Sequence, residues 1–288
     1  MPLRSAFTWP GVPRAALSRA TGFWARRRIP RRLRPRIWPF LCRRLGIQRA
    51  SVPGEWEDYP TLLDVFTRPL PAGSRPLPAD DGAWLAPADG RLVASALLTG
   101  EGSWVVKGTP YGTHELLPGA SLDQLSGWRA LQIYLAPHDY HRFHAPCDLR
   151  VLEAVTIPGG LQTVDPALLH RSWRVLTRNR RVLLHCAGPG GEPFAILFVG
   201  ALNVGGMRFT FDATLGDGPW VASSRTYDPP AIVGRGEELG RFELGSTVVL
   251  FTHRSHPLLI AVGGECRARQ PLLGAAISNQ DPSSSPPA

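Results

Sequence analysis

Residues 138–144, HDYHRFH, place His138, Asp139, Tyr140, His141, Arg142, Phe143 and His144 between Pro137 and Pro146. Three of the chain's 8 histidines fall within these seven residues. Imidazole is the side chain suited to moving protons near neutral pH, so the block is a candidate for acid–base work. A metal site would need further ligands, and no Asp, Glu or His pair elsewhere stands at a convincing ligand spacing, so no metal is expected. If Tyr140 to His144 forms a helical turn, His141 and His144 share a face; if the segment is extended they point to opposite sides.

A second stretch, GRFELGSTVVLF (residues 240–251), reads as a strand interrupted by Gly245-Ser246. On strand alternation Phe242, Leu244, Ser246, Val248 and Leu250 face one way and Glu243, Gly245, Thr247 and Val249 the other. Gly-Ser in a strand ordinarily marks a bulge or a close backbone approach. It also leaves the Gly245 carbonyl unshielded by a Cβ and next to the Ser246 hydroxyl. Asp89, in PADG (residues 87–90), reads as the first residue of a tight hairpin turn. An Asp, a His and a Ser are together the parts for activating a hydroxyl, recognised by role rather than by chain order. The Gly-x-Ser-x-Gly elbow of conventional serine hydrolases is absent at Ser246.

The elements that must position these residues look like short strands. The 30 Gly and 29 Pro are spread along the chain, which favours many strands joined by turns over a helical bundle. WLAPADGRLVASALL suggests a hairpin around Asp89-Gly90, and ALQIYLAP, VLEAVTIPGG, RVLLHCAG, FAILFVGALNVGGM and STVVLFTH read as further strands. PALLHRSWRVLTRN, with Pro166 near its start, reads as a helix. The expected class is mainly β, of the α+β kind: a single β-rich domain of short antiparallel strands with few helices, preceded by a basic amphipathic N-terminal arm. The expected boundaries are an arm over 1–54, a domain over 55–275 and a polar tail over 276–288, with a Pro-rich linker at residues 68–82.

Charge is unevenly placed. Residues 1–50 hold 13 Arg and no Lys, Asp or Glu, so the rest of the chain is net acidic although the whole carries +9. The basic excess therefore belongs to the arm, and the body has no nucleic-acid footprint. Within the arm the arginines alternate with Phe7, Trp9, Phe23, Trp24, Ile29, Ile37, Trp38, Phe40 and Leu41, the composition of a segment lying on an anionic membrane surface. A disordered basic tail and a mitochondrial transit peptide share parts of that composition. Cys42, Cys147, Cys186 and Cys266 form no CxxC pair, which points to a reducing compartment. No run of about 18 apolar residues suggests a membrane span.

Taken together, the motifs resemble the pyruvoyl-dependent phosphatidylserine decarboxylases. The resemblance runs in order through PADG, KGTPYGTHELL (residues 107–117), YLAPHDYHRFHAP (134–146), VTIPGGLQTV (155–164), VGALNVGGM (199–207) and RGEELGRFELGSTVVLF (235–251). It covers residues 84–265, and the histidine block and LGST occurring together make it specific. The chain departs from the family pattern at Asn203-Val204-Gly205-Gly206, where Asn-Val-Gly-Ser is usual, and at Asp165, where Asn is usual and head-group contacts could change.

What the resemblance implies is self-processing. Ser246 attacks the Gly245 carbonyl, β-elimination splits the chain into a β chain of 1–245 and an α chain of 246–288, and Ser246 becomes a covalent pyruvoyl group. Asp89 and His144 would activate Ser246, and His141 would donate the proton in decarboxylation. A Schiff base between the pyruvoyl carbonyl and phosphatidylserine would supply the electron sink for loss of carbon dioxide, giving phosphatidylethanolamine without pyridoxal phosphate or a metal. The implied home is the cytoplasmic side of a bacterial cell membrane, peripherally bound, with the mitochondrial inner membrane as the alternative; the chain could be a homo-oligomer. Competing readings are a pyruvoyl-dependent decarboxylase of another serine lipid or a free amino acid, and a non-enzymatic carrier resembling a lipoyl-type hairpin domain.

Overall fold

The computed structural model describes residues 22–98, 103–106, 109–119, 125, 127–162, 174–201, 206–216, 219–243 and 245–277. Its strands are β1 (Trp84–Leu85), β2 (Gly90–Leu97), β3 (Ser103–Val106), β4 (Thr109–Gly112), β5 (Trp128–Leu135), β6 (Arg142–His144), β7 (Leu149–Ile157), β8 (Arg181–Ala187), β9 (Pro193–Gly200), β10 (Met207–Phe209), β11 (Ser223–Val233), β12 (Glu238–Phe242), β13 (Ser246–His253), β14 (Glu265–Cys266) and β15 (Pro271–Leu273). Helices are short: α1 (Arg34–Leu45), α2 (Leu62–Phe66), α3 (Thr113–Leu116) and α4 (Val175–Arg178). The mainly β class expected from the sequence is what the chain adopts. The helix expected from Pro166 lies largely outside the described residues, as do Asp165 and Asn203 to Gly205; of its span, the described part holds only α4, which begins after Arg174 in a left-handed conformation (φ +60°).

Eight strands form one antiparallel sheet in the order β11-β7-β8-β9-β13-β5-β2-β14, and a three-stranded sheet, β10-β12-β6, packs against it. β13 lies at the centre of the large sheet, paired on one side with β5 and on the other with β9. A strand covered on both faces is mostly apolar, and β13 is buried from Ser246 to Thr252, with Ser246, Thr247 and Thr252 as its polar exceptions. Its alternation divides the core. Val248 and Leu250 join Phe143, Phe198, Phe209 and Phe242 between the two sheets, while Val249 and Phe251 join Trp104, Leu183 and Leu197 on the opposite face. The phenylalanines interlock, with ring centroids 4.2 Å apart for Phe143–Phe198 and 4.9 Å for Phe143–Phe242. Such pairs contribute about 0.5–1.5 kcal/mol each beyond area burial, which holds the small sheet in register on the large one.

Two local expectations are corrected. The runs flanking Asp89 do not form a hairpin: β1 pairs with β15 and β2 pairs with β5. Residues 85–88 instead run beside β6, with Leu85 N–H donating to Pro146 O (2.7 Å) and His144 N–H to Pro87 O (2.7 Å). Long-range pairing thus overrides the local turn signal of Asp-Gly. Likewise GRFELGSTVVLF is two strands in two sheets, β12 and β13, broken at Glu243–Gly245. Gly245 has φ +54°, a left-handed conformation that residues with a Cβ resist.

The N-terminal segment is seated on the body. Trp38 is buried and donates its indole N–H to Tyr59 O (2.8 Å), in a cluster with Cys42, Ile47, Val52 and Val65. Phe23, Trp24 and Phe40 face outward. The Pro-rich stretch is pinned as well: Arg68 is buried, and its guanidinium donates to Ser51 O (3.0 Å), Val65 O and His138 O.

Candidate functional site

The fold brings the sequence-designated residues to one end of the large sheet. Ser246 opens β13 opposite Leu135 on β5 and Gly200 on β9. Arg91 pairs with Tyr134 on the other side of β5, so Asp89, two residues upstream, comes to the same end. At about 4.8 Å per strand, this puts the Asp89 backbone roughly 10 Å across β5 from Ser246. The histidine block is the turn leaving β5 and entering β6. It is extended rather than helical from Arg142 on, and Phe242 N–H donates to His141 O (2.9 Å), tying His141 to the strand that leads into Gly245.

Asp89 and His144 belong to one polar cluster. Arg75 grips both oxygens of Asp89, with Nη2 2.6 Å from Oδ2, and Ala268 N–H donates to Oδ1 at 2.8 Å. The same guanidinium lies over the Tyr140 ring, 5.7 Å from its centroid. Tyr140 Oη is 3.0 Å from His144 Nε2, and His144 Nδ1 is 3.0 Å from Gly236 O. A carbonyl can only accept, so Nδ1 carries the proton and Nε2 accepts from Tyr140. Burial holds His144 below the usual histidine range and holds the Tyr140 phenol well above its own, so both are neutral near pH 7.

His141 and Ser246 share a different property. His141 is fully buried, its ring centroid 3.8 Å from that of Phe66 in a tilted contact, and Nδ1 donates to Asp139 O (2.9 Å). Burial, the dominant cause, pushes its pKa down to about 3. Its Nε2 lone pair and the Ser246 hydroxyl, also fully buried, have no hydrogen-bond partner among the described residues. An unpaired buried polar atom costs about 1–3 kcal/mol, and such groups are retained where reactivity needs them. Among the described residues no hydrogen bond joins Ser246 Oγ to Asp89 or His144.

Gly245 presents its carbonyl to a donor: Ala201 N–H lies 3.0 Å from Gly245 O. Just upstream, Glu243 carries an ion pair with Arg26 of the N-terminal segment, and Arg208 Nε is 3.4 Å from its other oxygen. Arg75, Ala201 and Arg26 were not designated by sequence reasoning. Arg75 sits in a stretch whose composition reads as linker, and a backbone N–H has no sequence signal. The four cysteines are free and buried. No described helix is long and apolar enough to cross a membrane.

The chain matches known proteins over most of its length. Residues 62–274 match the model of the phosphatidylserine decarboxylase family. The phosphatidylserine decarboxylase proenzyme of Halorhodospira halophila is 39% identical over 254 residues, covering 86% of this chain and 84% of its own. That of Helicobacter pylori is 38% identical over 202 residues (69% and 74%), and that of Anaeromyxobacter sp. is 33% identical over 272 residues (92% and 96%).

Proposed function

This chain belongs to the phosphatidylserine decarboxylase family, and from that premise we propose that it cuts itself between Gly245 and Ser246 and then converts phosphatidylserine to phosphatidylethanolamine and carbon dioxide. The observation that carries the proposal is the scissile step itself. Gly245 is left-handed with its carbonyl already hydrogen-bonded, and the neighbouring Ser246 hydroxyl is buried with no competing partner among the described residues.

In self-processing, Ser246 Oγ loses its proton and bonds to the Gly245 carbonyl carbon, the C–N bond to Ser246 breaks as its nitrogen gains a proton, and an ester remains. Removal of the Ser246 Cα proton then breaks the Cβ–Oγ bond. That releases the Gly245 carboxylate and leaves dehydroalanine, which water converts to a pyruvoyl group with loss of ammonia. His144, neutral through burial, is the proposed proton acceptor and Asp89 its proposed partner; among the described residues no hydrogen bond joins the two, since His144 Nδ1 is held by Gly236 O and Asp89 by Arg75 and Ala268, and the Tyr140 hydroxyl must also move off Nε2 for that lone pair to act.

The pyruvoyl group, formed at the start of β13 between Leu135 and Gly200, supplies the electron sink for loss of carbon dioxide. Among the described residues neither Ser246 Oγ nor His141 Nε2 has a hydrogen-bond partner, which leaves both free for that chemistry. His141 is the proposed proton donor to the product carbon. It is neutral while buried, and an arriving anionic head group would raise its pKa toward the range where it carries a proton. Two of its neighbours oppose that charge, Arg68 and His138.

We place the enzyme peripherally on the cytoplasmic side of a bacterial cell membrane, with the Arg-rich N-terminal segment meeting anionic lipid. The outward Phe23, Trp24 and Phe40 support that reading. A homo-oligomer of cleaved α and β chains is compatible with it. The decisive experiment is the mass of the purified protein alongside carbon dioxide release from phosphatidylserine vesicles and from free serine. Two chains meeting at Gly245 and Ser246, and a single inert chain for Ser246→Ala, are expected; an intact, inactive parent chain overturns the proposal.

A further inference from the structure

We propose that the Ala201 backbone N–H is the oxyanion donor for self-cleavage at Gly245, and that Asn179 is the residue that positions it. The inference rests on the self-processing reading and deepens it.

When Ser246 Oγ adds to the Gly245 carbonyl carbon, the π electron pair moves onto Gly245 O, and that oxygen needs a fixed donor. Catalytic donors stand about 2.7–3.1 Å from the developing charge. Ala201 N–H is 3.0 Å from Gly245 O before any reaction. It lies just beyond the end of β9, where a strand without a neighbour on its far side would fray.

That neighbour is half backbone and half side chain. β8 begins at Arg181, yet Gly200 still finds two partners beyond that point: its N–H donates to Arg180 O (3.0 Å), and its carbonyl accepts from Asn179 Nδ2 (2.8 Å). Asn179 is fully buried and uses both ends of its amide. Nδ2 also donates to Gln162 O (2.8 Å), and Oδ1 accepts from Gln162 N–H (2.9 Å).

The loop behind Asn179 is the Pro-Gly-Gly-Leu-Gln segment, residues 158–162, to which no step of the chemistry has assigned a role. It is fastened to the same stretch, with Gly160 N–H donating to Arg178 O (2.8 Å) and Arg180 N–H to Gly160 O (3.0 Å). There is no room for a side chain at Gly159, where a Cβ would stand 2.5 Å from Arg178 O. The order of support is thus loop 158–162, Asn179, Gly200–Ala201, Gly245. Every link is a hydrogen bond, and only the last touches a reacting atom.

The test follows disappearance of the full-length chain after cell-free synthesis, for the parent, Ala201→Pro, Asn179→Leu and Asn179→Asp. Melting temperature is read on each, together with carbon dioxide released per pyruvoyl group in the cleaved fraction. Ala201→Pro removes the donor outright. Asn179→Asp keeps the acceptor for Gln162 N–H but loses the donor to Gly200 O, and it serves if the leucine variant does not fold. Cleavage slowed about tenfold or more in the Asn179 variants, with turnover per pyruvoyl group held within twofold of the parent, is expected; a general loosening of the fold would lower both. An Asn179 variant that folds and cleaves at the parent's rate overturns the inference while leaving the self-processing reading intact. A parent that never cleaves overturns both.

Discussion

Tyr140 Oη lies 3.0 Å from His144 Nε2, and this bond, with the one from Nδ1 to Gly236 O, sets the protonation of the imidazole. A hydroxyl that donates to the bare nitrogen stabilises the neutral ring, adding to burial in holding the His144 pKa down. Tyr140→Phe removes the donor and leaves the ring in place. In the Ser246→Ala single chain, the NMR titration midpoint of His144 is therefore expected to rise in Tyr140→Phe. An unchanged midpoint would show that the hydroxyl does not govern the proton.

His141 makes stability depend on acid. Its pKa falls from about 6.5 in the unfolded chain to about 3 in the fold, so unfolding takes up a proton between these values. Stability is full above about pH 6.5 and declines as pH drops toward 3. One such group contributes a slope near 1.4 kcal/mol per pH unit, or about 2 kcal/mol between pH 6.5 and 5. Asp139, raised by burial, works in the opposite direction. Denaturant unfolding of Ser246→Ala at pH 7 and 5 measures the loss, and adding His141→Phe is expected to flatten it; equal losses with and without His141 would assign the dependence elsewhere.

Arg75 supplies the counter-charge for a largely buried carboxylate. The side chains of Arg75 and Asp89 are 18% and 13% exposed. Removing one partner of a buried pair costs about 3–5 kcal/mol, and partial exposure discounts this to about 2. Arg75→Met is expected to lower the melting temperature, and Arg75→Met with Asp89→Asn to regain part of the loss because no uncompensated charge remains. If the double variant is no more stable than Arg75→Met, the pair is not what Arg75 contributes.

Tryptophans of the N-terminal segment divide by face. Trp38 is about 1% exposed and hydrogen-bonded, so Trp38→Ala is expected to cost about 3–5 kcal/mol in denaturant unfolding. Trp24 is 70% exposed, so Trp24→Ala should change stability by no more than about 0.5 kcal/mol while weakening salt-sensitive sedimentation with anionic vesicles. Vesicle binding that survives Trp24→Ala together with Phe40→Ala would remove these side chains from the membrane contact.

How much of this was legible in the chain depended on how far each signal reaches. The β class was readable because period-two apolar runs and dispersed Gly and Pro are local properties. The Asp89 hairpin failed because Asp-Gly is compatible with a turn but cannot outweigh pairing with β6 and β5. Arg75 was unreadable among prolines, since its meaning comes only from Asp89 folding against it. Asn179 had no signal at all: it closes the stretch PALLHRSWRVLTRN, read as a helix, and its role is visible only once Gly200 and Gln162 are placed on either side of it.

The sequence alone determined the reagents: a carbonyl without a Cβ beside a hydroxyl, and a block of imidazoles whose residue types allow proton transfer. Only the tertiary structure decided their states. Burial removes the charge from His141 and His144, Tyr140 and Gly236 choose the nitrogen that holds the proton on His144, and Ala201 meets the Gly245 oxygen. The reason is that composition and order set what a group can do, whereas desolvation and hydrogen bonding depend on neighbours that the chain brings together from far apart.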